Sequence, residues 1–187
     1  MAKRILLLAS GTGTLAAAIL EAHRTGQIAA DFIGLISDKD SPVLSIANKY
    51  GIPAIYLPVG KDRTAWDQEI FSVAETFAPD LVVSVGFMRI LSPRFVTTFS
   101  VINTHPALLP LFPGAHPVRD ALAAGATVTG ITVHWVDSGM DTGPIISQQS
   151  VIINESDDES SLHERIKIAE RALIVETLVG YGRTGNL

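Results

Sequence analysis

Asn103 and His105 stand two residues apart where an apolar run beginning at Val101 gives way to a segment punctuated by Pro106, Pro110, Pro113 and Pro117. Residues two apart share one face of a strand, so an amide donor and a titratable imidazole would lie side by side. Proline lacks an N–H and fixes φ, which makes 106–117 a stiff loop and ends the strand. Open α/β sheets bind their ligands beyond the carboxyl ends of their strands. An amide facing a developing oxyanion, with an imidazole to move protons, suits transfer of an acyl-type group. The alternative for His105 is a satisfied core histidine. Its place at a strand end beside Asn103 favours chemistry.

Four other segments carry weaker signals. Ser10-Gly-Thr-Gly-Thr14 is either a tight turn or a phosphate cradle, with glycines admitting a ligand to a helix N-terminus. Asp141, in Asp137-Ser-Gly-Met-Asp-Thr-Gly, is either a solvated turn residue or a carboxylate that orients His105 and keeps it protonated. Gly86-Phe-Met-Arg-Ile-Leu-Ser-Pro follows an apolar strand and either caps a core or lines a pocket for a flat ligand. Lys167 and Glu170 neighbour each other on a helix, where a surface ion pair is the simpler account. His116 and His134 have no spacing signal of their own. A metal site built from His105, His116 and Asp141 lacks the usual ligand spacings, so no metal is expected.

The elements that must position these groups alternate. Strands are expected at Ile5–Ala9, Phe32–Ser37, Ala54–Leu57, Leu81–Val85 and Val101–Asn103, with helices over Leu15–His23, Pro42–Tyr50, Thr64–Phe77, a short turn from Pro93, and Val118–Ala124. Thr127–Val136 and Pro144–Ile153 read as two strands with no helix between them, hence an antiparallel edge. Asp158–Val179 reads as a long helix with Ser161 and Glu164 spaced as a capping box, followed by a frayed glycine-rich tail. The implied fold is a Rossmann-like three-layer α/β/α with a mostly parallel sheet, forming a single domain over 1–187.

Composition narrows the class. With 47% apolar and 18% charged residues the chain is globular, and its net charge of −5 argues against nucleic acid as a partner. The absence of cysteine removes disulfides, thiolate metal sites and cysteine nucleophiles. No stretch approaches the ~20 apolar residues of a membrane span, so a cytoplasmic location is expected.

Taken together, the Ser-Gly-x-Gly turn, Gly86-Phe-Met-Arg-Ile-Leu-Ser-Pro, Asn103-Thr-His-Pro-Ala-Leu-Leu-Pro, Phe112-Pro-Gly and Asp141-Thr-Gly-Pro resemble the phosphoribosylglycinamide formyltransferase family of purine synthesis. The resemblance implies a catalytic trio of Asn103, His105 and Asp141. It implies nucleotide contacts from Gly11, Thr12, Gly13, Thr14, Leu15, Pro106, Lys167 and Glu170. It implies folate contacts from Arg63, Met88, Arg89, Ile90, Leu91, Val96, Val136, Asp137 and Met140. The formyl donor would be 10-formyltetrahydrofolate, with no metal, and the partners small-molecule substrates, with a homodimer the assembly allowed. Many members have Asn where this chain has Thr12 and Leu15, which would shift phosphate contacts toward backbone N–H groups and Lys167. Methionyl-tRNA formyltransferases and formyl-folate hydrolases are similar in this core but carry further domains, for which 187 residues leave no room. The rival readings are hydrolysis of formyl-folate and a Rossmann-type nucleotide-binding module using Asp38 to hold a ribose.

Overall fold

β1 (Lys3–Ala9) is fully buried from Ile5 onward, as a strand covered on both faces must be. In this computed structural model, which describes residues 2–187, there follow α1 (Thr14–Arg24), β2 (Ala30–Ser37), α2 (Pro42–Lys49), β3 (Ala54–Tyr56), α3 (Arg63–Phe77), β4 (Leu81–Ser84), α4 (Pro93–Thr98), β5 (Val101–His105), α5 (Pro117–Ala123), β6 (Val128–Trp135), β7 (Ile145–Ile152) and α6 (Glu159–Thr184). All these strands lie in one sheet of order β3-β2-β1-β4-β5-β6-β7. Pairing is parallel from β3 to β5 and antiparallel at β5–β6 and β6–β7, the edge expected where two strands follow one another without a helix.

Strand parity divides the core. Ile5, Leu7, Leu81, Val83, Ile102, Ile131 and Val133 point to the layer of α1, α2, α5 and α6, where Ile19, Val43, Val118 and Ile166 meet them. Leu6, Leu8, Val82 and Val101 point to the layer of α3 and α4, packing on Trp66, Phe71 and Phe95. The same alternation decides the site. Asn103 and His105 share the parity of Val101 and emerge on the α3/α4 side, whereas Thr104 shares that of Ile102 and faces α6.

The C-terminal helix departs from expectation twice. Its capping box joins Asp158 and Ser161, the carboxylate accepting from the Ser161 N–H at 2.8 Å and the Ser161 hydroxyl accepting from the Asp158 N–H at 3.0 Å. The box expected at Ser161 and Glu164 would begin a turn too late, and Glu164 pairs with Lys167 instead. Nor is the tail frayed. Gly180 and Gly182 lie inside α6, which continues to Thr184 with Tyr181 buried. A Cβ at Gly182 would come within 2.9 Å of the Ala29 carbonyl oxygen, so glycine there serves a close helix approach and not a stop. α2 starts at Pro42 as expected, although Ser41 caps it without a side-chain hydrogen bond.

Candidate active site

Asn103 and His105 lie at the floor of a cavity of about 370 Å³ beyond the carboxyl ends of β4 and β5. That volume is in the range of sites for small organic ligands. Antiparallel pairing sets Asn103 opposite His134 and His105 opposite Thr132 on β6, and partners in register present side chains to the same face. The fully buried Thr132 hydroxyl donates to the Ala107 carbonyl at 2.7 Å and accepts from the Leu109 N–H at 3.0 Å, which pins the base of the proline-rich loop. That loop then folds back over His105.

His105 is 4% exposed. Its Nε2 lies 2.8 Å from the Phe112 carbonyl oxygen, and its Nδ1 lies 3.4 Å from Asp141 Oδ2. Both ring nitrogens therefore face groups that only accept, an arrangement that the doubly protonated imidazolium satisfies. Asp141 Oδ2 also accepts from the Gly114 N–H at 2.9 Å, and its Oδ1 lies 3.6 Å from His134 Nε2. The carboxylate thus ties His105 to the proline-rich loop and lies beside His134. Two residues that build this cluster, Phe112 (φ 52) and Asp141 (φ 57), have left-handed backbone, a conformation non-glycine residues hold only when their surroundings impose it.

His134 completes the cluster. Its Nδ1 lies 2.9 Å from the Trp135 carbonyl oxygen and its Nε2 lies 3.3 Å from Asn103 Nδ2. Burial pushes its pKa below the ordinary histidine value, partly offset by the Trp135 carbonyl and Asp141. The sequence left this residue undecided. The signal that could have found it is the parity of β6, where His134 falls on the face opposite Ile131 and Val133.

The wall of the cavity is apolar and open. Met88 (72% exposed), Ile90 and Met140 project from loops around it, and Arg89, Leu91, Val136, Asp137 and Pro106 are also among its lining residues. Exposed apolar side chains grouped around one cleft mark a ligand surface. The 86–91 loop is anchored at two points. The Met88 N–H donates to the Ser10 hydroxyl at 2.9 Å, and Arg89 donates to the buried Asp38 at 2.6 Å. Arg89 thus engages one oxygen of Asp38, while its other oxygen is buried without a hydrogen-bond partner among the described residues. Arg63 bonds the Ile90 carbonyl and pairs with Asp67 at the outer edge. Val96 is not a lining residue; it packs behind, against the core under α3 and α4. Asp137 accepts from the Gly139 N–H and the Thr142 hydroxyl, holding the 137–141 loop in shape.

The glycine turn and α6 lie outside this cavity. Gly11, Thr12 and Thr14 are exposed, while the Leu15 side chain is buried in the core, so only its backbone is available to a ligand. Gly13 caps α1 with φ 75 and without a side-chain hydrogen bond, which leaves first-turn N–H groups open to an acceptor. Glu170 accepts from the Thr104 hydroxyl at 2.5 Å, and burial raises its pKa above the ordinary carboxylate value. Lys167 bonds Glu164 at 2.7 Å, so the expected Lys167–Glu170 surface pair does not form. His116 is exposed as the cap residue of α5. Among the described residues no group of histidine, aspartate and glutamate side chains is disposed to hold a metal ion, and no helix is long and apolar enough to cross a membrane.

A mostly parallel sheet with a polar cluster beyond its strand ends defines an α/β enzyme, and its family follows from comparison. The formyl transferase family matches residues 3–178, and the chain belongs to it. Within that family it is similar to several phosphoribosylglycinamide formyltransferases. It is 46% identical over 186 residues to a phosphoribosylglycinamide formyltransferase of Mycobacterium tuberculosis, a match spanning 97% of this chain and 86% of that protein. Its fold superposes with a TM-score of 0.93 on glycinamide ribonucleotide transformylase 1 from Symbiobacterium toebii, at 36% identity over 97% of this chain and 88% of the other. A phosphoribosylglycinamide formyltransferase from Bacillus halodurans gives a TM-score of 0.92 at 35% identity, covering 98% of this chain and 97% of that one.

Proposed function

We propose that this formyltransferase moves the formyl group of 10-formyltetrahydrofolate to the primary amine of 5′-phosphoribosylglycinamide in purine biosynthesis, with residues 1–187 acting as one catalytic domain. The observation that carries the reading is the convergence of Asn103, His105 and Asp141 on the floor of an apolar, strand-end cavity.

The amine attacks the formyl carbon, a tetrahedral oxyanion forms, and the folate nitrogen leaves with a proton. Asn103 donates an N–H to the oxyanion, a contribution of about 3 kcal/mol for a well-placed donor. His105, set between Asp141 and the Phe112 carbonyl, adds positive charge beside the oxyanion as it takes up and relays the proton. Asp141 keeps that imidazolium oriented. The flat folate rings stack among Met88, Ile90, Leu91, Val136 and Met140, with Arg89 and Asp137 at their polar edges and Arg63 further out. The phosphoribosyl end takes backbone N–H groups of Gly11–Leu15 with Lys167 and Glu170, and Pro106 stands between the two substrates. No step needs a covalent intermediate with the protein.

The test is formyl transfer followed by folate absorbance, with and without the ribonucleotide and with and without chelator. Product formation that depends on the ribonucleotide and ignores chelator supports the proposal. Folate deformylation without acceptor would replace it with a hydrolase.

A further inference from the structure

We infer that His134 is a positioning residue for formyl transfer: the Trp135 carbonyl fixes its tautomer, and the ring in turn fixes which way the Asn103 amide points. This rests on the reading of Asn103 as the oxyanion donor.

The chain of constraints starts from the backbone. A carbonyl oxygen only accepts, so His134 Nδ1, 2.9 Å from the Trp135 oxygen, must carry the ring proton. In the neutral ring Nε2 is then a bare acceptor. Its neighbour at 3.3 Å must be a donor, which selects the NH2 of Asn103 and not its carbonyl oxygen. One amide hydrogen is spent on His134. The second hydrogen on the same nitrogen stays free, and both residues line the cavity where the formyl group would react. Without His134, the amide would be free to turn by 180°, and half of its orientations would present a carbonyl oxygen to a developing oxyanion. That repels where it should attract.

The register of the sheet makes the arrangement rigid. Asn103 and His134 are cross-strand partners on β5 and β6, and His134 is 1% exposed. The charged and titratable groups facing the ring are Asp141, at 3.6 Å from Nε2, together with His105 and Asp137. Protonation of Nε2 would make it a donor, draw it to Asp141 and reverse the demand on Asn103. Burial disfavours that form, which favours the amide's working orientation.

The experiment compares His134→Leu with His134→Gln. Glutamine can offer an acceptor oxygen to the Asn103 NH2, whereas leucine cannot. His134→Leu is expected to lower kcat by about tenfold or more, with both KM values within about twofold of wild type. His134→Gln is expected to recover most of that loss, a rescue that a merely space-filling role would not give. Nitrogen NMR of wild-type histidines at neutral pH, without substrate, should find His134 protonated at Nδ1 and bare at Nε2. A proton on Nε2, a leucine variant at wild-type kcat, or a glutamine variant as slow as leucine would each overturn the inference. If the leucine variant fails to fold, the tautomer still decides. Wild-type protein that transfers no formyl group to the ribonucleotide would instead sink the functional reading, leaving the tautomer result to stand by itself.

Discussion

The two ends of the cleft are built by different means. At the β5–β6 end, every polar side chain is already engaged: Asn103 to His134, His105 to Phe112 and Asp141, Asp141 to Gly114. At the glycine-turn end the loop groups are exposed or backbone, and the α6 side chains beside them bond elsewhere, Lys167 to Glu164 and Glu170 to Thr104. The difference follows from the tasks. Groups that answer charge developing in a transition state contribute most when fixed beforehand, since reorganisation during reaction costs rate. A phosphate is recognised by N–H groups that any strand-turn-helix junction offers, so that end can wait for its ligand. Damage at the first end should therefore appear in kcat, and damage at the second in KM.

The largest effect is expected at Asn103. Asn103→Ala removes the oxyanion donor and should lower kcat by about a hundredfold or more, with folate KM within about threefold, read by steady-state kinetics. Asp141→Asn keeps the shape of the side chain but takes the negative charge from beside both imidazoles. It should lower kcat by about ten- to a hundredfold, because the carboxylate that faces His105 Nδ1 loses the charge that answers the imidazole in the transition state. An unchanged rate would return Asp141 to the status of a loop residue.

At the other end, Gly13→Ala would force a Cβ to within 2.6 Å of Val43 Cγ2 at a φ of 75. Strain of about 1–3 kcal/mol is expected, a fall in Tm of several degrees, and a higher KM for the ribonucleotide with folate KM unchanged. Equal damage to both KM values would erase the distinction between the two ends. The smallest effect is at Glu170. The unfolded chain releases this proton near the ordinary value of 4.5, whereas the buried carboxyl holds it to higher pH. Above pH 4.5 the unfolded state binds fewer protons, so stability falls as pH rises through the raised value. Glu170→Gln keeps the acceptor for Thr104 and removes this dependence. Its Tm should exceed that of wild type by about 1–3 °C at pH 8 and by less at pH 5, in parallel melting curves.

Much of this was legible before folding was considered. Buried strands such as Ile5–Ala9 announce themselves by continuous apolar runs, and the pair Asn103 and His105 by strand parity. The 86–93 segment was legible only as either the cap of a core or the wall of a pocket, and the exposure of Met88 and Ile90 at the cavity favours the wall. Other parts were illegible for physical reasons. The Phe112 acceptor is a backbone atom, which no side-chain pattern reveals. Asp141 reaches His105 through a left-handed turn far along the chain, so only family resemblance pointed to it. His134 depends on the register between β5 and β6, a long-range property. Gly180 and Gly182 read as the start of a frayed tail, but α6 runs through both, and Gly182 packs closely on Ala29 despite its low helix propensity.

The central claim is that the tied cluster acts on the transition state and not on binding. Single-turnover formyl transfer and the Kd of the folate product, measured side by side for wild type and His105→Ala, test it most directly. The expected result is a transfer rate lower by about a hundredfold or more with a folate Kd within about threefold of wild type. A transfer rate near wild type, or a rate and an affinity that fall together, would contradict it.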